Sequence, residues 1–116
     1  MLTVSIVGIG LIGGSLAKSL RSNGFCGKII GVDNNPEHCK VAMYRGLADE
    51  FLSLEQAVEK SDLIVLCAPV DVNRRLLPGI LDMIKGTAKV VTDMGSTKSD
   101  ISAAVSGHPA RGRYVS

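Results

Sequence analysis

Short runs of apolar, often β-branched residues alternate along the chain with longer stretches in which apolar side chains recur every three or four positions. The short runs predict strands and the longer stretches predict helices. Such alternation is typical of the α/β class, in which helices cover both faces of a parallel sheet and right-handed crossovers join the strands. The predicted strands are Leu2 to Val7, Lys28 to Val32, Ala48 to Phe51, Leu63 to Cys67 and Ala88 to Thr92.

The first three helices have recognisable ends. Gly24 is expected to end the first helix in the left-handed conformation that glycine adopts readily. Asn35 is expected to cap the second helix, with Pro36 at its first position, where a missing N–H costs nothing. Ser53 and Gln56 have the spacing of a capping box for a short third helix.

The second half of the chain is less sharply marked. Asp71 to Ile84 predicts a fourth helix, although Pro78 can kink it or divide it into two. A fifth helix is expected from Ser96 or Thr97 to near Gly107, and Gly112 to Ser116 has the pattern of a beginning strand. Because natural enzymes rarely end on the leading half of an element, we expect the chain to be part of a longer protein.

Composition indicates one soluble, folded domain spanning residues 1–116. The chain is 46% apolar and 21% charged, which argues against disorder. Its longest apolar run, Leu63 to Val70, is too short to cross a bilayer, and Met1 leads directly into a predicted strand rather than a signal peptide. We therefore expect a cytoplasmic protein with no membrane partner.

Charge and cysteine spacing argue against two further classes of function. A net charge of +2 with scattered Lys and Arg does not form the basic stripe that nucleic-acid binding requires. Cys26, Cys39 and Cys67 lack C-x-x-C spacing and lie in apolar contexts, so we expect reduced, mostly buried thiols and no metal site.

The strongest motif is the turn Gly8-Ile9-Gly10-Leu11-Ile12-Gly13 between the first strand and the first helix. In a G-x-G-x-x-G turn, the first glycine allows the bend and the second lets a pyrophosphate approach the backbone. The third glycine brings helix and strand close together, and the helix N-terminus stabilises the phosphate charge. The turn therefore predicts a Rossmann-type doubly wound domain that binds a dinucleotide.

Asp33, twenty residues after the last glycine of the turn, completes this fingerprint. Its carboxylate is expected to accept hydrogen bonds from the ribose hydroxyls and to repel a 2′-phosphate, which favours NAD over NADP. The alternative is that Asp33 only caps the second helix. Ala68 and Pro69 follow the fourth strand, where they are expected to line the cofactor path, although Pro69 is equally compatible with a simple loop.

Two segments resemble a particular family. Val7 to Ala17 and the turn Asp93-Met94-Gly95-Ser96-Thr97-Lys98 closely resemble the glycine loop and the D-x-G-S-x-K turn of the prephenate and arogenate dehydrogenases of tyrosine biosynthesis. Gly31-Val32-Asp33 and Ala68-Pro69 also fall where that family has them. The resemblance covers the whole chain, and the D-x-G-S-x-K turn is its more discriminating part.

The resemblance implies an NAD-dependent oxidative decarboxylation of prephenate or arogenate, small molecules whose ring becomes aromatic. It implies a catalytic role for Ser96, beside the nicotinamide, although Ser96 could also be only a helix cap. It further implies a C-terminal helical domain, absent from this chain, that binds substrate and forms a homodimer. The isolated chain is accordingly expected to be nearly inactive.

The chain departs from the family at its histidines. The family's catalytic histidine follows the sixth strand, whereas His108, in a similar H-P-x-x-G context, precedes the predicted one and is not expected to be catalytic. His38 is interpreted as a surface or cap residue of the second helix. Two alternative functions stay open: a β-hydroxyacid-dehydrogenase-like or imine-reducing enzyme, and a non-catalytic NAD-binding module.

Overall fold

The computed structural model describes residues 2–24, 27–93 and 114–115. Strands and helices alternate as predicted. The strands are β1 (Thr3–Val7), β2 (Lys28–Val32), β3 (Glu50–Phe51), β4 (Leu63–Leu66), β5 (Val90–Asp93) and β6 (Tyr114–Val115). The helices are α1 (Leu11–Ser22), α2 (Pro36–Tyr44), α3 (Leu54–Lys60) and α4 (Val70–Ile84).

All the described strands run parallel in one sheet, in the order β3-β2-β1-β4-β5-β6. This is the order of a Rossmann fold, and the predicted fold class is confirmed. The chain reverses its direction of travel across the sheet between β1 and β4, which pair from Val4 with Leu63 to Val7 with Leu66. In open α/β sheets ligands bind outside the carboxyl ends of the strands at such a switch point.

Each face of the sheet has its own core. Val4 and Ile6 of β1 point to the face that α1 and α2 cover, where Ala17 and Ala42 are also buried. The opposite face is covered by α3 and α4, and its fully buried side chains include Ile64, Leu66, Leu77, Ile80, Leu81 and Ile84. Because the central strands are covered on both sides, their sequences are almost continuously apolar.

The predicted helix ends are confirmed for the first three helices. Gly24 adopts φ +62° just after α1. The Asn35 side chain accepts a hydrogen bond from the Glu37 N–H at the start of α2. At the start of α3, Ser53 Oγ accepts one from the Gln56 N–H over 3.3 Å.

Pro78 does not divide the fourth helix. α4 is continuous from Val70 to Ile84, so the possibility of two shorter helices is wrong. Proline removes one intrahelical hydrogen bond, but Leu77, Ile80 and Leu81 around it are fully buried, and their packing holds the helix against the sheet. The predicted fifth helix lies outside the described residues.

None of the helices in the described ranges is both long and apolar enough to cross a membrane.

Candidate functional site: a cleft at the carboxyl edge of the sheet

The glycine turn connects β1 to α1 and touches the loop that follows β4. Gly8 adopts φ +88°, and a Cβ at this position would lie 2.7 Å from the Ala68 backbone nitrogen. A Cβ on Gly13 would collide with the Gly8 carbonyl oxygen and lie 3.1 Å from Ile6 Cγ2. Both glycines are therefore required by close backbone packing, and they set the position of the α1 N-terminus.

Gly10 differs from these two glycines because a Cβ on it would make only ordinary contacts. The nearest atom to a Cβ built on it would be His38 Cε1, at 3.7 Å. Gly10 precedes α1 and offers no side chain to cap the helix. The first N–H groups of a helix have no intrahelical acceptor, so this end is suited to an anionic group.

Asp33 lies at the carboxyl end of β2 and is tied to three donors. Its Oδ2 accepts hydrogen bonds from the Ile9 N–H and from His38 Nδ1, each over 3.0 Å. Its Oδ1 accepts the Asn35 N–H over 2.9 Å. Since a carboxylate offers about four acceptor positions, one remains on Oδ1 for a hydroxyl group of a ligand.

The loop after β4 is held by a buried amide. Asn73, fully buried in α4, donates from Nδ2 to the Ala68 carbonyl over 2.8 Å. Its Oδ1 is buried without a hydrogen-bond partner in the part of the chain that the structure describes. Pro69 immediately precedes α4. The turn predicted at Ala68 and Pro69 is thus held by a hydrogen bond from a side chain of α4.

These three segments enclose a cleft of about 610 Å³. Five of the predicted cofactor-binding residues line it, namely Gly8, Gly10, Asp33, Ala68 and Pro69. Gly13 contributes packing rather than lining, and the side chains of Leu11 and Ile12 are not described. Further lining residues, which the sequence interpretation did not include, are Asn34, Asn35, His38, Cys67, Val72, Arg75 and Leu76.

The interpretation of His38 as only a surface or cap residue needs revision, because the side chain lines the cleft. Its side chain is 46% exposed, as expected of a surface residue, yet it bonds Asp33 and lies beside Gly10 inside the cleft. It comes five residues after Asp33 on the helix that follows β2. A histidine in the first turn of the helix that directly follows the acidic residue is the signal that could have identified it.

The cysteines in the described residues are free thiols. Cys39 and Cys67 are both half-buried, so the expectation of mostly buried side chains holds only in part, and Cys26 lies outside the described residues. Burial and, to a lesser degree, the nearby Asp93 carboxylate raise the pKa of Cys67 to about 11. Cys67 therefore lines the cleft as a protonated, weakly nucleophilic thiol.

The second family-like segment begins at this same edge. Leu66 of β4 pairs with Asp93 of β5, and Asp93 is 2% exposed. Ser96, Lys98 and His108 lie outside the described residues.

Comparisons with known proteins identify the family to which this domain is similar. The family model for the prephenate dehydrogenase nucleotide-binding domain matches residues 16–116. A prephenate dehydrogenase from Lactococcus lactis is 34% identical over 101 residues, covering 87% of this chain and 28% of the relative.

Solved structures give the same result. Prephenate dehydrogenase from Aquifex aeolicus, in complex with hydroxyphenyl propionate and NAD+, is 34% identical with a TM-score of 0.69, covering 98% of this chain and 40% of that one. Synechocystis arogenate dehydrogenase is 31% identical with a TM-score of 0.68, covering 91% of this chain and 38% of that one. The chain thus spans between 28% and 40% of the length of these relatives.

Proposed function

Because the chain belongs to the prephenate dehydrogenase nucleotide-binding domain family, we propose that it binds NAD as the cofactor-binding part of a prephenate dehydrogenase. The observation that carries this proposal is the cleft that joins Gly10, Asp33 and Ala68 at the switch point of the sheet. The sequence alone predicts a cofactor-binding role for each of these residues.

The residues present fit a dinucleotide. The open face of Gly10 and the start of α1 would receive the pyrophosphate, because a Cβ there would project into the cleft. Asp33 would hold the adenosine ribose through its remaining acceptor position on Oδ1. Gly8 and Gly13 shape the turn through close packing, and Leu11 and Ile12 would offer backbone N–H groups at the start of α1. Ala68 and Pro69 would line the path toward the nicotinamide. When bound, NAD supplies the hydride acceptor.

NAD is favoured over NADP by the charge of Asp33. The carboxylate is 8% exposed and accepts three hydrogen bonds, so its position is fixed. A phosphate on the 2′-oxygen would meet this charge at hydrogen-bonding distance, where like charges repel strongly. The bound NAD+ of the Aquifex protein is consistent with this preference.

The proposed reaction is the oxidation of prephenate to 4-hydroxyphenylpyruvate and carbon dioxide. Hydride leaves the ring carbon that bears the hydroxyl group, the carboxylate carbon departs as carbon dioxide, and the ring becomes aromatic. We propose that Ser96 assists by hydrogen bonding to the substrate hydroxyl or to a catalytic histidine; this role rests on the D-x-G-S-x-K sequence alone.

Substrate binding and dimer formation are proposed to belong to a C-terminal helical domain outside residues 1–116. The support is that the chain spans no more than 40% of the length of the relatives described above. Arogenate is the alternative substrate, favoured by the 31% identity to the Synechocystis arogenate dehydrogenase. The two substrates differ in the side chain on the ring, which this cleft does not contact in the proposed arrangement.

The proposal is tested in two steps. Calorimetric titration of the 116-residue chain should show NAD binding that Asp33→Asn weakens, and failure of NAD to bind would refute the cofactor assignment. A longer protein that contains this chain should then oxidise prephenate, or arogenate, with NAD, whereas the isolated chain should be nearly inactive. In that longer protein, Ser96→Ala should reduce kcat while NAD affinity is retained; unchanged kinetics would favour a non-catalytic NAD-binding module.

A further inference from the structure

His38 stands between two cavities. It and Gly10 line both the cofactor cleft and a second cavity of about 650 Å³ between α1 and α2. The proposed function uses the first cavity and leaves the second without a role. The His38 side chain thus separates the cofactor cleft, beside the Asp33 carboxylate, from the second cavity between α1 and α2.

The two cavities differ in charge. The cofactor cleft is lined by one carboxylate, Asp33, and by one cationic side chain, Arg75. The second cavity is lined by Lys18 of α1 and by Arg45, which follows α2, together with one acidic residue, Glu37. The second cavity therefore carries two cationic groups that could pair with a phosphate.

The position of the His38 ring is fixed by its partners. A carboxylate only accepts hydrogen bonds, so His38 Nδ1 must donate its proton to Asp33 Oδ2. On the other edge of the ring, Nε2 lies 3.5 Å from Asn35 Nδ2. Cε1 lies over Gly10, 3.7 Å from where a Cβ would be. The ring is held beside the point where the ribose and the pyrophosphate would meet.

We propose that His38 is a cofactor-specificity residue, a wall that keeps a 2′-phosphate of NADP away from Lys18 and Arg45. The inference rests on the proposed binding of a dinucleotide in the cleft. With the His38 ring in place, a 2′-phosphate meets the Asp33 carboxylate and cannot pass the ring into the second cavity. Without the wall, the same phosphate reaches the two cations, and part of the repulsion from Asp33 is offset.

The test compares Kd for NAD and for NADP in the full 116-residue chain and in two variants. His38→Ala removes the wall, whereas His38→Phe keeps a ring of similar size and removes the polar contacts to Asp33 and Asn35. We expect His38→Ala to lower the ratio of Kd(NADP) to Kd(NAD) by about fivefold to tenfold, since two exposed ion pairs contribute that much. His38→Phe should keep the ratio within about twofold of the unsubstituted chain, because the ring still separates the two cavities.

A further variant checks where the phosphate goes. In the His38→Ala background, Arg45→Ala should abolish much of the gained NADP affinity, while Lys40→Ala, an exposed change on α2 that lines neither cavity, should preserve it. Thermal unfolding of each variant checks that the fold is retained. We expect it to be retained at position 38 because the His38 side chain is exposed.

Three results would overturn the inference: an unchanged ratio in His38→Ala, an equal fall in His38→Phe, or a gain that Arg45→Ala does not affect. Failure of the unsubstituted chain to bind NAD would instead refute the proposed function. Normal NAD binding with a ratio insensitive to His38 would refute only the role of the wall.

Discussion

The backbone N–H of Ile9 donates a hydrogen bond to Asp33 Oδ2 over 3.0 Å, which ties the glycine turn after β1 to the end of β2. The two residues are 24 positions apart in the chain. Asp33, the residue proposed to bind the ribose, therefore also holds the glycine turn proposed to bind the pyrophosphate. The two parts of the proposed cofactor site are positioned together. Changes on either side of this bond should therefore affect both stability and cofactor binding.

Gly13 and Gly14 provide a matched pair for testing the packing of α1. A Cβ on Gly13 would collide with the Gly8 carbonyl, so Gly13→Ala should lower the free energy of unfolding by about 1–3 kcal/mol through overpacking. A Cβ on Gly14 would lie 3.3 Å from Leu47 Cδ1, which a small side-chain rotation relieves, and at an ordinary contact distance of 3.7 Å from the Ile9 carbonyl oxygen. Gly14→Ala should leave stability unchanged or raise it by up to about 1 kcal/mol, because alanine favours helix. Urea unfolding measures both, and equal effects would contradict the packing argument.

Asp33→Asn should weaken NAD binding by about tenfold, because hydrogen bonds to a charged acceptor contribute more than those to a neutral one. It should weaken NADP binding less, since the repulsion is removed. Asp49 is a suitable control because its carboxylate also accepts a backbone N–H, from Ile29 over 2.8 Å, and lies outside the cleft. Asp49→Asn should leave the NAD to NADP ratio unaltered. An equal shift in the ratio for both variants would argue against specific ribose recognition.

Cys67 should be alkylated slowly in the folded protein. Its pKa of about 11 leaves about one thiol in a thousand ionised at pH 8. Iodoacetamide labelling, followed by mass spectrometry of the Cys67 peptide, should be at least about tenfold slower in the native chain than in urea. Rates that are similar in both states would show that burial does not protect the thiol.

The same pKa predicts how stability depends on alkaline pH. The pKa of Cys67 is raised from 9.0 to about 11 on folding, so its protonated form is favoured in the native state. Its contribution to stability is therefore complete below pH 9 and is lost as pH rises toward 11. Cys67→Ala should remove this part of the alkaline decline, which urea unfolding at several pH values would detect.

Asn73→Asp should destabilise the loop after β4. The new carboxylate would be buried and would face the Ala68 carbonyl that the Asn73 amide now bonds, at a cost of about 3 kcal/mol or more at pH 7. Burial raises the pKa of the new carboxyl, so its protonated form, which can donate to Ala68, should recover stability as pH falls toward about 4. Asn73→Ala, which introduces no charge, is the control and should show no such recovery.

Local chemistry was enough to predict much of this fold from the sequence. Asn35, Ser53 and Gly24 act at helix ends through their own side chain or backbone freedom, so neighbouring residues alone identify them. The strands β1, β2 and β4 are buried on both faces, and their apolar runs show this directly. The glycine turn and Asp33 were identified because spacing in the chain reflects the βαβ unit that brings them together.

Contacts between distant segments decided the remainder. The sequence leaves open whether Pro78 kinks or divides the fourth helix, but burial of Leu77 and Leu81 in the core outweighs one lost hydrogen bond. The sequence by itself determined the fold class, most element boundaries and the position of the glycine turn. Only the tertiary structure showed that His38 lies against Asp33 and Gly10, since a side chain becomes part of a site through packing between elements rather than through its own propensity.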